Sequence, residues 1–80
     1  MTTEKDPWVE LAVRILRSEM SARGLTYAAL NEKLHGIGIV ETSANTTRKI
    51  TRGLFSCTYF LQCIKAMDVK KIDFDFYFNL

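Results

Sequence analysis

The sequence predicts a mainly α fold: a four-helix domain over 1–71, followed by an extended C-terminal β-strand tail over 72–80. Two observations predict it. Four segments carry apolar residues at helical spacing, each opened by a residue able to cap free amides and closed by a glycine or an aspartate. After Lys70-Lys71 the spacing changes: Ile72, Phe74, Phe76, Phe78 and Leu80 alternate with Asp73, Asp75, Tyr77 and Asn79, the period of a strand.

The first helix is expected from Asp6-Pro7, where Asp6 caps and Pro7 suits a first position whose amide has no partner. Trp8, Leu11, Ala12, Ile15, Leu16 and Met20 form its apolar stripe, and Gly24 stops it. Thr26 caps the second helix, Tyr27 to about Leu34, with Leu25 and Leu30 spaced as a hydrophobic staple. The glycines of His35-Gly36-Ile37-Gly38 then bend the chain. Thr42 or Ser43 caps the third helix and Gly53 closes it, yet between them only Ala44 and Ile50 are apolar. Such a helix turns most of its surface outward. Ser56 caps the fourth, with Phe55 and Phe60 as a second staple. Phe60, Leu61, Ile64 and Met67 make its core stripe, joined by Cys57 or Cys63, and Asp68 ends it.

Eighty residues make one small domain. With 48% hydrophobic and 25% charged residues, the composition is that of a globular protein and not of a disordered chain. No apolar run reaches the roughly 18 residues of a membrane span. The start, Met1-Thr2-Thr3-Glu4-Lys5-Asp6, lacks the order of a signal peptide, so a cytoplasmic location is expected. Cys57 and Cys63 sit six apart on one expected helix, on different faces, and read as reduced thiols. With His35 the only histidine, no metal site and no cofactor are expected. Catalysis is not expected either, because no glycine-rich phosphate loop or activated Cys/His pair is evident.

The net charge of +2 is weak, but its distribution is uneven. Ala44 to Lys71 carries Arg48, Lys49, Arg52, Lys65, Lys70 and Lys71 against the single acid Asp68, whereas Met1 to Ser43 is near neutral.

Arg23-Gly24-Leu25-Thr26-Tyr27-Ala28-Ala29-Leu30-Asn31-Glu32-Lys33-Leu34 resembles the first half of the helix-turn-helix in lambda-repressor-like (Xre-type) regulators. After an insertion around Gly36–Val40, the stretch from Thr42 to Gly53 resembles their recognition helix, including a terminal Ile50-Thr51-Arg52-Gly53. Tyr27 stands where that superfamily usually has a glutamine. More narrowly, Trp8 to Ile72 resembles a short bacterial domain family of unknown function. The resemblance implies a lambda-repressor-like helix-turn-helix domain that binds double-stranded DNA as a transcriptional regulator. On that reading Ser43, Asn45, Thr46 and Arg48 meet base edges in the major groove, while Tyr27, Lys49 and Arg52 meet phosphates.

Plainer readings stand beside these. Arg48, Lys49 and Arg52 also lie where cations complement the negative end of a helix dipole. Ser43, Asn45 and Thr46 suit capping and solvation, and Tyr27 suits the edge of a core. Trp8, Phe55 and Phe60 are expected in the core. A strand needs a partner, so the tails of two chains are expected to pair through Ile72, Phe74, Phe76 and Phe78 into a homodimer. The rival function is a protein-interaction module, antitoxin-like or accessory, on the same fold.

Overall fold

In a computed structural model, which describes residues 6–79, each helix begins at a side-chain cap. The order is α1 (Pro7–Ala22), α2 (Tyr27–Gly36), α3 (Ser43–Arg52), α4 (Cys57–Ala66) and α5 (Phe74–Phe78). Asp6, Thr26, Thr42, Ser56 and Asp73 accept from the amides of Trp8, Ala29, Asn45, Tyr59 and Phe76 at 2.8–3.1 Å. Each satisfies one amide that the helix itself leaves free.

The first four helices also end alike. The amides of Leu25, Ile39, Leu54 and Val69 reach back to the carbonyls of Met20, Leu34, Lys49 and Ile64 at 2.8–3.1 Å. Each bond requires a left-handed residue just before it, and these are Gly24, Gly38, Gly53 and Asp68. Asp68, at φ 59°, is the non-glycine member, a conformation that aspartate tolerates better than most residues.

The core joins Leu16 and Met20 of α1, Leu30 and Leu34 of α2, Ile50 of α3, and Tyr59, Cys63 and Met67 around α4. Both α1 and α2 pack against α3 and α4. The α4 stripe is rotated from the expected one. Tyr59, Cys63 and Met67, spaced by four, face inward, whereas Leu61 is 59% exposed. Trp8 is 70% exposed and meets Phe78 of α5 edge-on, outside the core. Phe55 and Phe60 lie half-buried at the core's edge. Cys57 is exposed and Cys63 buried, both as free thiols, and burial pushes the Cys63 thiol up to about 12.

The β-strand tail is not present. Among the described residues there is no strand, and 74–78 forms α5. Leu80, the last member of the alternation, lies outside the described residues. The physical reason is local satisfaction. A lone strand leaves its amides without partners, whereas Asp73 starts a helical turn that supplies its own. That turn brings Phe74 and Phe78 side by side, with ring centroids 5.7 Å apart. It also turns Tyr77, which the alternation assigned to solvent, inward to 6% exposure. The Tyr77 hydroxyl donates to Glu19 Oε2 at 2.9 Å and ties α5 to α1. Pairing of two tails as strands through Ile72, Phe74, Phe76 and Phe78 therefore has no basis.

Gly53 serves two needs at once. Its φ of 66° closes α3, and any Cβ there would run into the Val9 side chain of α1. Gly53→Ala is expected to lower unfolding free energy by about 2 kcal/mol, from left-handed strain plus displacement of α1. Urea denaturation measures it; a loss no larger than at an open glycine would refute the close approach.

Candidate nucleic-acid interface

The third helix is the most polar in the fold, and only Thr46 and Ile50 of its ten residues are buried. What holds it is Glu41, just before the Thr42 cap. The Glu41 side chain is 9% exposed. Its Oε1 accepts from Lys49 Nζ at 2.7 Å, and its Oε2 accepts from the hydroxyls of Thr46 at 2.9 Å and Tyr59 at 2.5 Å. Its backbone carbonyl accepts from Asn31 Nδ2 at 2.9 Å and, with the proton on that nitrogen, from His35 Nε2 at 2.9 Å. Asn31 also donates to Thr46 Oγ1 at 3.0 Å. One residue thus links α2, α3 and α4. Among the described residues, no buried side-chain nitrogen or oxygen lacks a partner.

The electrostatics follow from that geometry. Burial pushes the Glu41 carboxyl up, but hydrogen bonds from Lys49, Tyr59 and Thr46 outweigh it and hold the group below its ordinary value. Burial and the neighbouring carboxylate together push the Tyr59 phenol well above its usual range, so it stays a donor. Lys49 Nζ also sits 4.4 Å from the centroid of the Tyr59 ring.

The expected site residues divide accordingly. Thr46 is fully buried in this network and turned away from solvent, so it offers a base edge nothing. Lys49 is half-buried and its charge is met by Glu41. Ser43 and Arg48 are exposed, and Asn45 is half-buried with its Oδ1 accepting from Arg48 Nη2 at 3.1 Å. Thr47 and Thr51 turn their hydroxyls back onto the carbonyls of Ser43 and Thr47. Arg52 is exposed at the end of α3, and among the described residues neither it nor Arg48 is in an ion pair.

Arg52 lines a shallow cleft of about 320 Å³ together with Thr51, Arg17, Asp6 and Glu10. Arg17 further borders the depression that holds Thr26 and Tyr27 at the start of α2. Tyr27 itself is half-buried against the core. Arg17 thus connects two expected phosphate contacts, Tyr27 and Arg52. In the sequence it stands out only as a cation off the apolar stripe of α1. Glu41, Asn31 and Tyr59 were equally silent; the one trace was a polar Asn31 flanked by the core positions Leu30 and Leu34.

A family model described as "Domain of unknown function (DUF6471)" matches residues 8–72. The chain belongs to that family. No curated protein and no solved structure matches it. Membership covers the span Trp8 to Ile72 that resembled a domain of unknown function, and it carries no likeness to lambda-repressor-like regulators. No helix among the described residues is long and apolar enough to cross a membrane.

The lowered carboxyl of Glu41 has a definite pH signature. Its contribution is complete above the unfolded-state value, about 4.3, and is lost as pH falls through the lower folded-state value. Glu41→Gln is expected to cost about 2–3 kcal/mol at pH 7, because Lys49 loses its partner in a half-buried site. The variant's cost should shrink as pH falls from about 5 through the lowered folded-state value. Urea midpoints across that range test this; a pH-independent cost would show that the carboxylate's charge is immaterial.

Proposed function

We propose that this DUF6471 domain binds double-stranded DNA sequence-specifically as a transcriptional regulator, with α3 entering the major groove. Ser43, Asn45 and Arg48 would meet base edges, where the Arg48 fork suits guanine and Asn45 suits adenine. Arg52, Tyr27 and Arg17 would grip phosphates on either side. Lys49 is left a positioning role through Glu41.

The observation that carries this reading is the outer face of α3. It is exposed and α3 itself holds no acidic residue; the carboxylate of Glu41 is turned inward, and Asp6 and Glu10 of the α1 end border the cleft beside Arg52. The likeness of Arg23–Leu34 and Thr42–Gly53 to the helix-turn-helix of lambda-repressor-like regulators supports it from the sequence side. Two copies of the domain would match a two-fold-symmetric site. The second reading, a protein-interaction module, is favoured by the aromatic surface around Trp8.

Salt dependence separates the two. The two cationic phosphate contacts per domain, Arg17 and Arg52, imply a loss of affinity of about 12-fold between 50 and 200 mM salt. After selection of a site from a random DNA pool, Arg52→Ala should lower the salt slope by about one, and Arg48→Ala should cost about 1–3 kcal/mol at the preferred site. No enrichment from the pool, or binding indifferent to salt, would defeat the DNA reading and favour the interaction module.

A further inference from the structure

The aromatic residues near the C-terminus, denied a strand partner, are left outside the core. Trp8 is 70% exposed, Phe74 47%, and Phe76 and Phe78 60% each. Trp8 meets Phe78 edge-on at 6.4 Å, and Phe78 continues to Phe74. Trp8, Phe78 and Phe74 thus form one ridge across the start of α1 and α5, while Phe76 packs on Tyr77. Alongside runs an apolar groove of about 340 Å³, between α1, the turn after Gly53 and α4, lined by Leu11, Ile15, Phe55 and Phe60.

We propose that this face is the interface with a second copy of the same chain, the ridge of each copy seated in the groove of the other. Two observations favour a second copy over a different partner. Ridge and groove lie on the same chain, side by side, which is the self-complementarity a two-fold interface demands.

The second observation is charge. Glu10 and Arg14 flank the ridge, lining a depression with Trp8, Leu11 and Phe78. Both are exposed, and among the described residues neither is in an ion pair. When two α1 helices approach antiparallel, Glu10 of one copy comes opposite Arg14 of the other, twice per dimer. An unrelated apolar segment would have no such use for opposite charges one turn apart. The dimer needs no strand pairing and is independent of the DNA reading.

Sedimentation equilibrium of the full chain, without DNA, tests the proposal. The 9.2 kDa chain should run at twice its mass in the micromolar range. Trp8→Ala should raise the dimer dissociation constant about thirtyfold, as loss of an aromatic anchor does. Arg14→Glu alone should also weaken the dimer, by placing Glu10 against a second glutamate. The double variant Glu10→Arg/Arg14→Glu should restore it, with circular dichroism showing all variants folded. A monomer at every concentration would overturn the proposal and leave the face to another protein. So would a dimer unmoved by Trp8→Ala, or a double variant as weak as Arg14→Glu.

Discussion

The Glu41 carboxylate is the point on which the geometry of the third helix depends. Helix α3 buries one aliphatic side chain, Ile50, and one hydroxyl, Thr46, too little apolar surface to fix its orientation. A buried acid with three donors supplies what the apolar contacts lack. Lys49 comes from α3 itself, Tyr59 from α4, and Thr46 from the inner face of α3. The Glu41 carbonyl adds α2 through Asn31 and His35. Hydrogen bonds are directional where apolar contacts are not, so this arrangement sets how far α3 is rolled about its axis. Roll decides which residues face out.

That decision divides the molecular surface. By drawing Lys49 and Thr46 inward, the network leaves Ser43, Arg48 and Arg52 on an outer face with no acidic residue of its own. Around the start of α1, Trp8 and α5 expose aromatic rings that the small core does not absorb. A domain of this size cannot bury every large apolar side chain it carries, and the excess is concentrated in one place. One surface is thus polar and cationic, the other apolar, and Gly53 sits where they adjoin through its close approach to Val9.

Much of the architecture was legible because it is written in local chemistry. Caps at Asp6, Thr26, Thr42 and Ser56 and stops at Gly24, Gly53 and Asp68 act within a few residues, so spacing alone reveals them. The tail misled because Ile72 to Leu80 satisfies two periods. Alternation puts every Phe on one face, yet the same residues place Phe74 four before Phe78, and Asp73 is a competent cap. Tertiary contact decided between them, through the bond from Tyr77 to Glu19, 58 residues away. Trp8 and Leu61 misled for a related reason: helical spacing marks an apolar stripe but not how far neighbouring helices cover it. Within the site, Ser43 and Arg48 face outward as the helical wheel implies. Thr46 and Lys49 could not be placed from sequence, because their partner Glu41 lies in the preceding turn and signals nothing by its own type.

The central claim is that Glu41 fixes α3 specifically and does not merely add to global stability. Native-state hydrogen exchange of Glu41→Gln against the parent chain tests it most directly. The account predicts that amides of α3 around Thr46 and Ile50 lose protection by a factor of about ten or more beyond any change in α4 around Cys63. Equal loss of protection in α3 and α4 would contradict it, and would reduce Glu41 to an ordinary contributor to the fold.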